Sequence, residues 1–367
     1  GRSSVPAIPG SDIVMTLDRG LQAYAETLMN QVGEGVFIAM DPRNGEIVSL
    51  VSRPSFDLHL FTETITDSIW QLLNDTETHP LLNRATQGTY PPASIFKLIP
   101  AAGAVDEGIA YANTHLEPCA GSIWYGDRWF NCWKRSGHGD IDLIEAIAQS
   151  CDVYFYQLAL HLGLERWSEL TRASGFGSKT GIELYPEASG FVPDREYFTE
   201  RYGRRGWGAG VLLNLCIGQG EVLVTPLQMA QYLASVANGG TIYKPRVVKR
   251  IEPPMDRPLV VETVKTGRLP ASGEAIKIIE HGMVDCVNAP LGTGVWAQLP
   301  NVTVAGKTGT AQNPHGNDHA WFGCYAPAEN PRIALVYIIE NGGSGGAWAW
   351  MARDYLWYFF NVYEPRS

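Results

Sequence analysis

The stretch VTVAGKTGTAQNPHGNDHAWFGCYAPAENPRIALVYIIE, residues 302–340, decides the fold because it reads as three extended runs, 302–311, 319–326 and 332–340. Each is rich in β-branched and aromatic residues, and clusters of Asn, Pro, Gly and Asp separate them. Three strands at the end of a chain need partners. They are found far away, in GVFIAMDPRNGEIVSLVS (35–52), where two apolar runs flank the turn residues Asp41 to Gly45 and predict a hairpin. Between the two groups the periodicity is helical: SIFKLIPAAGAVDEG, IDLIEAIAQSCDVYFYQLALHLG and LERWSELTRASG, with Gly-rich breaks. Asp18 and Thr225 read as N-caps, the latter with Pro226 in the first turn, and AWMARDYLWYFFNVY (349–363) reads as a final amphipathic helix. The fold class is therefore α/β (α+β): one antiparallel five-stranded sheet completed by both chain ends and flanked by helices, plus a mostly helical subdomain. The sheet part is expected at about 12–93 and 200–367 and the helical insertion at about 94–199. Residues 1–11 read as a linker or junction.

The composition, 45% hydrophobic and 18% charged residues in a 367-residue chain, is that of a globular protein with a sizeable core. A formal charge of -10 argues against nucleic acid as a partner, since phosphate binding needs a basic surface. No run of 18 apolar residues occurs, and GRSSVPAIPGSD lacks the pattern of a signal peptide. An N-terminal anchor and pedestal are expected to precede this segment in the natural protein.

The helical switch at RATQGTYPPASIFKLIPAAGAV (84–105) places Ser94 three residues before Lys97. Ser-x-x-Lys alone says little, since on the order of one copy arises by chance in such a chain. Its chemistry is nevertheless coherent: a serine hydroxyl needs a base beside it, and residues i and i+3 share a helix face. For Lys97 to act as that base, its pKa must fall from about 10.4 towards about 7, roughly 4 to 5 kcal/mol of differential stabilisation. Ser-x-x-Lys joined to Ser-Asp-Asn and Lys-Thr-Gly elements marks a set of serine acyl-transfer enzymes. Both companions occur twice here, Lys-Thr-Gly at Lys179 and Lys307, Ser-x-Asp at Ser55 and Ser150. Context favours Lys307, Thr308 and Gly309, because that copy lies in a strand that an extended peptide can join, with glycine allowing close approach. It likewise favours Ser150 and Asp152, within the helical insertion and able to face the cleft from the opposite wall.

NRATQGTYPPASIFK, SCDVYFYQ, IGQGEVLVTPLQMAQ, GKTGTAQ, HAWFGCYAP and ENGGSGG, in that order, resemble the transpeptidase domain of class B penicillin-binding proteins, and within it the elongation-type penicillin-binding protein 2 branch. The resemblance implies that Ser94 is the acylated nucleophile and Lys97 its base. It makes Ser150 and Lys307 proton relays, gives the donor's terminal carboxylate to Thr308 and Thr310, and builds an oxyanion hole from the N–H groups of Ser94 and Thr310. Many family members have Asn where this chain has Asp152; the branch it resembles has Asp. The implied reaction is D,D-transpeptidation of peptidoglycan stem peptides through an acyl-enzyme that β-lactams mimic. The implied setting is an extracytoplasmic, membrane-anchored enzyme working with the membrane glycosyltransferase of an elongation complex.

Cys119, Cys132, His138 and Cys151 bring three sulfurs and one nitrogen into one window, a donor set that suits a closed tetrahedral zinc site. One disulfide plus a free thiol, or separate reduced core cysteines, are the competing readings. Some relatives in the resembled branch carry zinc beside this motif, which the resemblance extends to this chain as a structural zinc. Other functions share the three motifs: a serine β-lactamase or D,D-carboxypeptidase gives its acyl group to water, and a β-lactam sensor domain is acylated once without turnover.

Overall fold

The computed structural model describes residues 9–364 except 63 and 255. Most of the expected N-terminal linker, residues 1–8, lies outside the described residues. The expected sheet is present. Its strands are β1 (Gly35–Met40), β2 (Ile47–Arg53), β3 (Ala305–Ala311), β4 (His319–Ala326) and β5 (Ile333–Ile339), in the spatial order β3-β4-β5-β1-β2 and antiparallel throughout. The two ends of the chain thus meet where β5 pairs with β1.

Every side chain of β1 is buried because both sheet faces are covered. Strand side chains alternate, so Phe37 and Ala39 enter one core while Val36 and Ile38 enter the other. The first core is closed by helices α1 (Arg19–Met29) and, at the C-terminus, Trp350–Tyr358, through Leu21, Ala25, Tyr355 and Leu356. The second is closed by α2 (Leu98–Asp106), α3 (Leu143–Ala148), α4 (Asp152–Leu162), α5 (Gly210–Cys216), α6 (Pro226–Ala237) and α7 (Gly273–Asn288). Each large apolar side chain buried in this way contributes about 1.5–3 kcal/mol. The predicted caps form: Asp18 accepts from the N–H groups of Gly20 and Leu21, and Thr225 makes a capping box with Gln228.

Several elements depart from the sequence reading. The break between the first two helical runs contains a short hairpin, Ser122–Tyr125 with Arg128–Asn131. Short strands between residues 241 and 268 pair in two small sheets; their mostly partly or fully exposed residues leave little core alternation to read. Helix α7 was not anticipated, although Ser272 caps it and Ile276, Ile279, Met283 and Val287 follow helical spacing along its buried side. Helix α5, which packs on α4, was likewise not anticipated. The last helix changes to a π turn at Phe359–Tyr363. Among the described residues no helix is long and apolar enough to cross a membrane.

Candidate active site

Strand β3 is the free edge of the sheet, and the turn carrying Ser94 packs against it. Ser94 lies in a single 3-10 stretch, Ala93–Lys97, that leads into α2. In a 3-10 helix residues i and i+3 eclipse each other, so Ser94 and Lys97 are stacked. Ala93 is held at φ 53, in the left-handed region, a conformation that costs about 1–3 kcal/mol. It is fixed from two sides: its N–H donates to Gly218 O at 2.8 Å, and Trp321 Nε1 donates to Pro91 O at 3.0 Å. A Cβ on Gly309 would stand 3.1 Å from the Ala93 Cβ and 3.0 Å from that of Trp321, so glycine lets the serine turn sit on the edge strand.

Ser150 occupies the opposite wall at the end of α3, at φ 56. Glycine is the usual residue where a helix ends in this conformation, and a serine there points to a need for its side chain. Cys151 then caps α4, whose first residue is Asp152. Lys97 is fully buried and reaches across to this loop: its Nζ donates to Asp152 Oδ1 at 2.7 Å, Ser150 O at 2.9 Å and Ser150 Oγ at 3.2 Å. Three acceptors satisfy all three protons of an ammonium group. Ser94 Oγ is not among them, and among the described residues it has no hydrogen-bond partner. The sequence spacing suggested a Lys97 free for Ser94; the structure instead ties it to an ion pair, because the third position of Ser-x-Asp supplies an anion.

Lys307, on β3, is fully buried as well. Burial pushes its pKa down to about 7 and the nearby Lys97 charge adds to this, while Cys286 and Asp152 pull the other way. Thr308 Oγ1 shares a 2.7 Å hydrogen bond with Thr293 Oγ1, and Thr310 Oγ1 accepts from Gly345 N at 3.4 Å. Ser94, Ser150, Asp152, Thr308, Gly309 and Thr310 all line one cleft of about 860 Å³. The competing motif copies stay apart from it. Lys179 is exposed in a loop whose Thr180 bonds Glu187, and Asp57 merely caps an exposed short turn.

Two sets of contacts that build this cleft were not given by the sequence. Trp133 donates its backbone N–H to Asp152 Oδ2 at 2.8 Å and its indole N–H to Gln149 O and Ser150 O, both at 3.1 Å, fixing the Ser150 loop from outside. The Gln219 side chain reaches β3, donating its Nε2 to Thr310 O at 2.9 Å. Neither contact leaves a local sequence signal, since the first spans 16 to 19 residues and the second 91.

Beside the Ser150 loop, the ligand atoms of Cys119, Cys132, His138 and Cys151 all lie within 4.8 Å of one another. His138 Nδ1 is 3.7 Å from Cys119 Sγ and 3.5 Å from Cys132 Sγ. The edges of a zinc tetrahedron with Zn–S near 2.3 Å and Zn–N near 2.0 Å are about 3.5–3.8 Å, which the two His138 distances match. All six cysteines are free thiols, which disfavours the disulfide reading. Hydrogen bonding from Cys151, with His138 adding to it, lowers the Cys132 thiol, and Cys151 is raised in turn.

A Ser-Lys turn, a serine loop across the cleft and a lysine-bearing edge strand together make the arrangement of an active-site-serine fold. The chain belongs to the penicillin binding protein transpeptidase domain family, which it matches over residues 35–354. It is 37% identical to the peptidoglycan D,D-transpeptidase MrdA of Haemophilus influenzae over 99% of this chain and 58% of that protein. The chain thus spans somewhat more than half the length of that relative. Among solved structures it is similar to Pseudomonas aeruginosa PBP2 in complex with WCK 5153 (TM-score 0.84, 34% identity, 97% of this chain and 80% of that one). It is also similar to a chain of a peptidoglycan synthase complex that coordinates polymerization and crosslinking (TM-score 0.86, 30% identity, 96% and 63%).

Proposed function

We propose that this domain cross-links peptidoglycan as a serine D,D-transpeptidase of the cell-elongation type. The observation that carries the reading is the convergence of Ser94, Lys97, Ser150, Asp152 and the Lys307–Thr310 edge strand on one cleft. A donor stem joins the free edge of β3, with its terminal carboxylate at Thr308 and Thr310. Ser94 Oγ attacks the carbonyl of the penultimate D-Ala while its proton passes to Lys97, which first yields one to the Asp152 carboxylate or, through the Ser150 hydroxyl handing on its own proton, to neutral Lys307. The N–H groups of Ser94 and Thr310 receive the oxyanion. Collapse breaks the C–N bond, the relay through Ser150 and Lys307 returns a proton to the leaving D-Ala amine, and an amine of a neighbouring stem then takes the acyl group.

Cys119, Cys132, His138 and Cys151 would hold a structural zinc, which when bound pins the 119–138 loops to the start of α4. The same reading carries with it an extracytoplasmic, membrane-anchored setting and a glycosyltransferase partner; the similarity to a synthase complex that joins polymerization to crosslinking supports that partner. Incubation with a stem pentapeptide and a labelled amine acceptor tests the reaction. The expected result is D-Ala release with label incorporated into peptide; release into water alone would reassign the domain as a carboxypeptidase, and rapid turnover of penicillin as a β-lactamase.

A further inference from the structure

An oxyanion hole works only if its two donors stand a fixed distance apart, yet here they come from segments more than two hundred residues apart in sequence, the Ser94 turn and β3. One short segment touches both. Gly218 O accepts the N–H of Ala93 at 2.8 Å, next to Ser94 in the chain. The following side chain, Gln219, donates its Nε2 to Thr310 O at 2.9 Å and accepts the N–H of Gln312 on its Oε1 at 3.2 Å. Within a strand the N–H and C=O of a residue point to the same side. Since Thr310 O is engaged from outside the sheet, the Thr310 N–H also faces the free edge, where the oxyanion is to form.

The segment has a rigid base. Gly218 N bonds Leu215 O and Gln219 N bonds Asn214 O, both at 3.0 Å, so the dipeptide is the C-terminal cap of α5, itself packed on α4. Gly218 stands at φ +73, and a Cβ there would fall 2.1 Å from Ala93 O, so only glycine permits this approach to the serine turn. Gln219 is half-buried on the cleft wall, and its amide supplies one donor to Thr310 of β3 and one acceptor to Gln312, just past the end of that strand.

We propose that Gly218–Gln219 is a clamp that sets the separation of the Ser94 and Thr310 N–H groups, with Gln219 acting as a positioning residue for the acyl-transfer transition state. This rests on the acyl-transfer reading above. Gln219 is needed when the carbonyl oxygen becomes an oxyanion and not for initial docking, because Thr310 O retains a second lone pair for an incoming N–H.

The test is acylation of the parent chain, Gln219→Ala and Gln219→Glu by benzylpenicillin, followed by intact mass over a concentration series that separates the limiting acylation rate from the dissociation constant of the first complex. Gln219→Glu keeps the acceptor for Gln312 but loses the donor to Thr310. The expected result for Gln219→Ala is a limiting rate about 10- to 100-fold lower with little change in the dissociation constant and in melting temperature. For Gln219→Glu a loss of similar direction is expected. An unchanged limiting rate, or an effect confined to the dissociation constant, overturns the clamp. A loss of rate that tracks a loss of melting temperature overturns it too, as a merely structural role would do that. A parent chain that takes no adduct overturns instead the acyl-transfer reading on which it rests.

Discussion

Replacement of Lys97 is expected to slow acylation by β-lactams by about 10³- to 10⁴-fold, because Ser94 then has no base in reach. The single variant Lys97→Met also strands the Asp152 carboxylate, whose side chain is only 10% exposed, and removing one partner of such a pair typically costs about 3–5 kcal/mol. A lost activity would then be ambiguous. The double variant Lys97→Met, Asp152→Asn removes the unpaired charge, so it is expected to melt near the parent and still fail to acylate. Acylation within tenfold of the parent in this variant would show that Lys97 only fills a structural ion pair.

The parent's rate is also expected to depend on pH. Burial lowers the pKa of Lys307 to about 7, so its neutral, proton-accepting form grows as pH rises through that value. The acylation rate should rise with it, and Lys307→Met should abolish that limb. A limb that survives in Lys307→Met belongs to another group. The same lowered pKa has a consequence for stability. The unfolded lysine titrates near 10.5, so the unfolded state binds more protons between about pH 7 and 10.5, and the cost of burying Lys307 is fully present below about 7 and relieved as pH rises.

The second large effect concerns the Cys3His cluster. Removal of the zinc proposed for it is expected to lower the melting temperature by about 10 °C and to slow acylation at the same time. The coupling follows from the chain itself. Cys151 stands between Ser150 and Asp152, and Cys132 precedes Trp133, whose backbone N–H holds Asp152 and whose indole holds the Ser150 carbonyl. Loss of the ion frees both ends of that strap. Native mass spectrometry should show one zinc per chain before chelation, and a fully stripped protein with unchanged melting would remove the proposed structural role.

Legibility in the sequence followed how local each feature is. The sheet was readable because β1, β4 and β5 are apolar runs buried almost throughout, β2 alternates buried with partly buried residues, and the chain order left few ways to join them. Ser94 and Lys97 were readable because their spacing is three residues. The partner of Lys97 was not: the spacing says that Lys97 can face Ser94, while the 2.7 Å ion pair depends on where α4 begins. The strained φ of Ala93 and Ser150 left no mark either, since both residue types are ordinary in turns and helix ends, and only tertiary contacts such as Ala93 N to Gly218 O hold them there. Gln219 is the clearest case, as its role arises from bonds to a strand more than ninety residues later.

Intact mass of the parent chain and of Ser94→Ala, after brief exposure to benzylpenicillin and again after hours in buffer, tests the central claim most directly. The account predicts a single adduct on the parent that persists through the incubation, and none on Ser94→Ala. An adduct on Ser94→Ala, or a parent that remains unmodified while the drug stays intact, would contradict it.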